Sequence, residues 1–342
     1  MKRQISLCFI ALILSVPCQS KKQIKPFYTE YSLQLIEESQ NPLIDKNHPS
    51  SAGNLKGYEG GTVFIKDGIY QMFVTEEIKG WVGTRTGYWT SKDGVIWERK
   101  STIMESVDKP GDPRNAIWSP MTFYNENEGR WNLFYVGYES GGSTNGRIFR
   151  AVSVHNGNDG VAGPYNDVSG TVLSYTDKNK HPWEGSQGAA AFYVYRVGAK
   201  WYGFYNSGDS KSRWDEGLAT ADSMEGQWVR DDNPNPTLTY GENPIVKKLS
   251  DGSFFCIFDD IAHGEQSSTI GYGYSVDGKN WNQKFLNIPM PKWAVNIRTP
   301  QGMILIKDDC YWIYFTAQTP SGFDCVGRIK VKLVKMLISI SK

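Results

Sequence analysis

Cysteine and histidine are scarce in this 342-residue chain, at five and four residues. Beyond the N-terminal segment only Cys256, Cys310 and Cys325 remain. Cys310 opens one strand of a readable hairpin and Cys325 the next, so they fall at its opposite ends. Geometry disfavours a disulfide between them, and buried free thiols are expected. The histidines (His48, His155, His181, His263) are scattered, with no spacing that suits zinc. An excess of one charge sign is also missing: 37 basic residues face 36 acidic ones, a net charge of +1. That balance gives no electrostatic case for nucleic acid or an acidic membrane surface as partner. No apolar run is long enough to span a bilayer. The longest, Ile5 to Val16, follows Lys2-Arg3 and precedes Pro17-Cys18-Gln19-Ser20, so residues 1–20 read as a secretory signal. Two endings fit it, cleavage after Ser20 or lipid attachment at Cys18. Either sends the chain out of the cytoplasm, to the periplasm or to the outer membrane or cell surface as a lipoprotein.

What the chain does have is aromatic residues, 13% of the total, set in a repeat. Five times an apolar strand and a turn lead into a second strand opened by an aromatic residue. The second strands start at Tyr70, Trp131, Trp201, Phe254 and Tyr311. The interval of about 50 to 70 residues is that of a β-propeller, a ring of small antiparallel sheets. The expected fold is all-β, a single five-bladed propeller over residues 25–336. The fifth blade lacks a clear fourth strand, and the segment from Phe27 to Glu38 is an orphan strand at the other end. Adding that N-terminal strand to the last blade would close the ring and remove an exposed edge.

Third strands are legible as well. Asp-Gly at 93–94 and 277–278 marks hairpin turns. Trp97, Trp228 and Trp281 follow such turns and are expected to pack between blades.

In a propeller the start of each first strand and the end of each second strand share one face. The predicted first-strand starts are Tyr58-Glu59-Gly60, Trp118-Ser119-Pro120, Ser186-Gln187-Gly188, Gly241-Glu242-Asn243-Pro244 and Asn296 to Pro300. Second-strand ends on that face include Thr75-Glu76, Tyr138-Glu139, Asn206 to Asp209, Asp259-Asp260 and Thr316 to Gln318. Carboxylates therefore converge from blades I and IV, with Arg298 from blade V, and Glu184 lies in the loop leading into blade III. Glycosidic bond cleavage asks for such a set: one protonated carboxyl gives its proton to the leaving oxygen, and one carboxylate activates water or attacks carbon. Crowding like charges in a desolvated funnel drives their proton affinities apart. The candidate catalytic residues are Glu59, as base or nucleophile, and Glu242 or Glu184, as acid. Trp118, Gln187, Asn206, Asp259, Asp260 and Arg298 are the candidates for holding the sugar. Aromatic rings near the rim (Trp118, Trp183, Trp214, Trp293) suit apolar sugar faces. A structural reading stands beside each assignment: carboxylates capping backbone amides, a solvated loop glutamate, aspartates that form turns.

With these residues in view, the chain resembles the five-bladed propeller glycoside hydrolases of families 43, 32 and 117. In family 43 an aspartate opening blade I is the base, an aspartate in blade II tunes the acid, and a glutamate opening blade III is the proton donor. YEGGTVF places Glu59 at the blade I position, WSPMTFY places Met121 at the tuning position, and WEGSQGAAAF offers Gln187 in register with Glu184 upstream. The resemblance implies a glycoside hydrolase; the signal segment adds export, and a single-ended funnel suits action at the ends of a poly- or oligosaccharide. The alternatives are a carbohydrate-binding propeller without catalysis, or a phosphorylase or lyase on the same scaffold. It implies no organic cofactor. A structural calcium ion comes by analogy alone, since no ligand set identifies one. The sequence leaves the sugar, its linkage and the oligomeric state open.

Overall fold

Five antiparallel sheets form a ring in the computed structural model, which describes residues 27–140, 142–209, 213–260, 269–286 and 291–339. The predicted signal, with Cys18, lies outside the described residues. Blade I comprises Tyr58–Lys66, Ile69–Glu76, Arg85–Ser91 and Glu98–Glu105. Blade II comprises Ala116–Asn125, Arg130–Tyr138 and Arg147–Ser153, with Tyr165–Asp167 and Leu173–Ser174 both paired to the third strand. Blade III runs Ala190–Val197, Lys200–Asp209, Arg213–Ala221 and Val229–Arg230. Blade IV runs Gly241–Lys248, Phe254–Asp260, Thr269–Ser275 and Asn282–Leu286. In blade V, Asn296–Lys307, Cys310–Gln318 and Asp324–Ser339 are completed by the N-terminal strand Phe27–Glu38. That strand pairs antiparallel with the last one from Phe27↔Ser339 to Glu38↔Ile329, the closure expected from the orphan segment. Each blade's first strand touches those of both neighbouring blades, which closes the ring.

Blade-to-blade contact is largely aromatic. Trp97 meets Tyr314 of blade V, Trp228 meets Phe134 of blade II, and Trp281 meets Tyr195 and Phe204 of blade III. All three follow the third-strand turns, as the repeat required. Asp93 accepts the amides of Val95 and Ile96, and Asp277 those of Lys279 and Asn280, so both aspartates serve their turns. Cys256, Cys310 and Cys325 are free; Cys310 pairs with Lys332 and Cys325 with Ala317, at the two ends of one strand pair.

One device recurs in all five blades. Each first strand slips register just after its start: between Glu59 and Thr62, Trp118 and Met121, Ala190 and Tyr193, Glu242 and Ile245, and Asn296 and Thr299. These are β-bulges, which turn a strand end away from the sheet. In four of them the residue after the start is left-handed: Gly60 (φ 56°), Ser119 (51°), Ala191 (41°) and Asn243 (52°). Glycine takes this conformation freely and asparagine tolerates it, whereas serine and alanine carry some strain there. Proline follows at 120 and 244, positions where the bulge frees the backbone from the ladder.

Candidate functional site

The bulges make Glu59, Trp118, Ala190, Glu242 and Asn296 equivalent positions around the ring, with Thr75, Val136, Asn206, Asp259 and Gln318 as their cross-strand partners. This corrects the reading of blade III. Its first strand begins at Ala190, so Ala190, not Gln187, is in register with Glu59. The Gly188 turn and the Ala-Ala-Ala run hid the true start. Below this ring the bulge apices meet near the axis. Ser119 Oγ donates to Asn243 Oδ1 at 3.1 Å, and Gln301 Nε2 donates to the Gly60 carbonyl at 2.8 Å. An ideal Cβ on Gly60 would lie 3.6 Å from both Asn243 Oδ1 and Ser119 Oγ, an ordinary contact, so it is the left-handed backbone there (φ 56°) that favours glycine. On the far side of it lies a separate, mostly apolar cavity of about 490 Å³ lined by residues such as Phe64, Tyr193 and Met303. The funnel thus has a floor.

Above that floor the carboxylates of blades I and IV come together. Burial, then the charges of Glu77, Asp324 and Asp259, holds the Glu59 carboxyl well above the usual carboxylate range. Burial, then Glu59, Asp259 and Glu216, does the same to Glu242. Glu242 is 9% exposed, whereas Glu59 is half-buried. Asn206 Nδ2 bridges Gln187 Oε1 (3.1 Å) and Glu242 Oε1 (3.4 Å), and Gln187 Nε2 reaches Tyr138 Oη at 3.4 Å. Asp259 accepts from Thr299 Oγ1 at 3.2 Å. So Gln187, displaced from the predicted register, still arrives in the cluster with Glu59, Glu242, Asn206 and Asp259. The fold carries it there because its backbone N–H is tied to Gly208 O of the second strand.

Other predicted residues fall elsewhere or look different. Glu184 has no exposed side-chain surface and is locked in an ion pair. Its Oε1 accepts from Arg230 Nε (2.7 Å), Tyr205 Oη (2.9 Å) and the His181 amide (3.0 Å), and its Oε2 from the Arg230 guanidinium (2.9 Å). None of these partners belongs to the Glu59–Glu242 cluster. Trp118 is only 5% exposed, because Trp81 lies over it with ring centroids 5.0 Å apart. Glu76, also at a strand end on this face, is clamped by Arg85 and Arg99 and accepts from Trp89 Nε1. Asp260 and Arg298 occupy the expected strands, Asp260 opposite Gly241, and their side chains lie outside the described set.

Two carboxyls at the blade I–V seam were not predicted. Glu77 and Asp324 hydrogen-bond to each other, with Glu77 as donor. Burial and the Asp324 charge push Glu77 up to about 8, and burial raises Asp324 to about 6. The seam is tight: Gly57 (φ 113°) bridges Asp324, and a Cβ there would lie 2.1 Å from the Asp324 carbonyl oxygen. The available sequence signal was a doubled acid, Glu76-Glu77, like the Asp259-Asp260 that did attract notice. Among the described residues no three His, Cys, Asp or Glu side chains are grouped to hold a metal, and the floor residues bond to one another.

Glu216, on the third strand of blade III, is fully buried, and neither carboxyl oxygen has a hydrogen-bond partner among the described residues. Burial, then the charge of Asp215, raises it well above its usual value of 4.5. A carboxyl that binds its proton more tightly when folded favours the fold most below its unfolded pKa; that contribution is lost as pH rises through the folded one. Glu216→Gln cannot ionise. Its melting temperature should match wild type near pH 4 and exceed it increasingly toward alkaline pH, as read by thermal melts across that range. A constant offset at every pH would contradict the assignment.

No family profile matches the sequence, and no curated protein is similar to it. Solved structures are. The chain is similar to Zg3597, a family 117 glycoside hydrolase of the marine bacterium Zobellia galactanivorans, at 15% identity and a TM-score of 0.62 over 89% of this chain and 91% of that one. It is similar to the family 43 β-1,3-galactosidase BT0265 at 18% identity and a TM-score of 0.59, covering 87% of this chain and 60% of the other. A family 130 structure matches at 14% identity and a TM-score of 0.61, over 86% and 93% of the two chains. It comes from a family of mannoside phosphorylases that contains hydrolases of β-1,2-mannosidic linkages. At these identities the likeness is one of fold. The chain has the five-bladed propeller that these glycoside hydrolase families share.

Proposed function

We propose that this protein is an exported glycoside hydrolase that cleaves sugars from chain ends, with Glu59 and Glu242 as its acid–base pair. The observation that carries this reading is the meeting of those two carboxyls, Glu242 buried and Glu59 half-buried, from blades I and IV, in a floored funnel edged with amide and phenol groups. Burial disfavours the ionised form of both, and the Glu59 charge adds to the cost of ionising Glu242, which drives their proton affinities apart. Glu59 keeps more contact with solvent and gives up its proton first, which makes it the base. Glu242, more deeply buried and touched by Asn206, remains the acid. Asn206, Gln187 and Asp259 offer donors and acceptors for sugar hydroxyls. Glu184 is set aside as the acid because its oxygens are taken by Arg230, Tyr205 and His181. A funnel closed at its floor favours attack at chain ends over the middle of a polymer. The propeller glycosidases among its structural neighbours support the same class, and one of them is in complex with a chain of RGII.

The test is to incubate the purified protein with a panel of plant, algal and fungal glycans and to separate the products by chromatography. Release of monosaccharide or a short unit from one of them is expected. Turnover that requires inorganic phosphate would place the protein with the phosphorylases instead. Glycan binding without product would make it a binding module.

A further inference from the structure

The axis of the ring opens again below the floor of the funnel. The cavity of about 490 Å³ there is walled by the first strands of all five blades, through Phe64, Phe123, Tyr193, Lys247 and Met303 among others. Ring contacts set its walls: Phe64 stacks on Trp131 with centroids 5.1 Å apart, and Phe123 meets Tyr193 edge-on at 4.8 Å. The apolar lining reaches solvent, because Ile65 and Leu305, which also line the cavity, are 44% and 51% exposed. A space of this size and character is that of a small-molecule pocket.

Lys247 carries the one charge among the described residues of the lining. It stands half-buried near the end of the first strand of blade IV, and among the described residues no carboxylate pairs with it. Burial alone pulls its ammonium below the usual lysine range, since it loses water without gaining an anion. An incoming carboxylate would replace that lost water, and an apolar body would cover the rings and the aliphatic mouth. With no second cation in the lining, the site matches a singly charged head rather than a phosphate dianion. Tyr193 Oη is not open to a ligand, because it donates to the Val246 carbonyl at 3.2 Å.

We infer that this cavity is a second binding site, for a small amphipathic monocarboxylate whose head meets Lys247 and whose body lies among Phe64, Phe123 and Tyr193. The site stands apart from the glycosidase reading, since the bonds of Ser119 to Asn243 and of Gln301 to Gly60 separate it from the funnel.

The probes are octanoate and 2-naphthoate, titrated calorimetrically into the purified protein beside their uncharged counterparts, 1-octanol and 2-naphthalenemethanol. The two acids distinguish an alkyl from an aryl body. At least one acid should bind roughly tenfold or more tightly than its alcohol, the worth of a hydrogen bond to a charged group. Lys247→Met keeps an apolar stem and removes the charge, so it should reduce the acid to the affinity of the alcohol and leave the alcohol unchanged. Ile65→Asp, at the exposed mouth, should weaken both, the acid more. Glu59→Gln should bind the acid as wild type does. No binding of either acid, equal affinity for acid and alcohol, or undiminished acid binding by Lys247→Met overturns the site. So does loss of acid binding in Glu59→Gln, which would move the ligand to the funnel. The comparison of acid with alcohol uses wild type alone and stands whether or not a variant folds.

Discussion

Glu59→Gln should lower kcat by about a hundred- to ten-thousand-fold, the usual worth of a positioned general acid or base, while the protein stays folded. The substitution keeps the shape of the side chain and removes only its ability to take a proton. Stability at neutral pH should not fall, because burial and the charges of Glu77, Asp324 and Asp259 already disfavour the ionised form of Glu59. Glu242→Gln should cost a similar factor. The double variant should be little worse than either single one, since residues that act as a unit are not additive. The pH profile adds a check that mere misfolding would not reproduce. A base must lose its proton and an acid must keep one, so kcat/KM should rise with pH as Glu59 ionises and fall as Glu242 does. Both carboxyls are raised, which places both limbs above the ordinary carboxylate range. Glu59→Gln should flatten the acidic limb, and Glu242→Gln the alkaline one. Glu59→Gln activity within tenfold of wild type, on a substrate that wild type cleaves, would remove Glu59 from the chemistry.

The ring and its strand pairs were legible because aromatic-opened strands recur, and because Asp-Gly turns and closing tryptophans carry local signals that burial then uses. Glu59, Glu242, Asn206 and Asp259 were legible for a related reason: each lies at a strand end whose place in the repeat can be counted. Blade III broke the count. Its Ser-Gln-Gly turn imitates a strand start, and the bulge at Ala190 leaves no polar or aromatic marker, so Gln187 was given the register that belongs to Ala190. Asp324 escaped for want of any local signal. It lies at the start of a third strand, and only the docking of blade I on blade V brings it to the site. Glu184 shows the opposite failure. Its sequence position suggested a catalytic carboxylate, while the partner that decides its role, Arg230, lies on a short strand with no recognisable pattern.

That pair gives the second large effect. Arg230 and Glu184 have 1% and 0% of their side chains exposed, and Arg230 also holds Asp177 at 2.7 Å and the Ser174 carbonyl at 3.3 Å. The network ties the fourth-strand segment of blade II to the outer strand of blade III. Breaking a buried ion pair by removing one partner strands the other charge away from water, at a cost of about 3–5 kcal/mol. Arg230→Leu is therefore expected to lose about that much in denaturant unfolding, because Glu184 keeps only the Tyr205 hydroxyl and the His181 amide. Glu184→Gln should lose less, since Arg230 retains Asp177. Adding Glu184→Leu to Arg230→Leu should recover part of the loss by removing the orphaned carboxylate. Turnover per folded molecule should stay near wild type in all three, which separates a structural carboxylate from a catalytic one. A Glu184→Gln variant with undiminished stability and kcat lowered a hundredfold would return Glu184 to the chemistry and displace Glu242 as the acid.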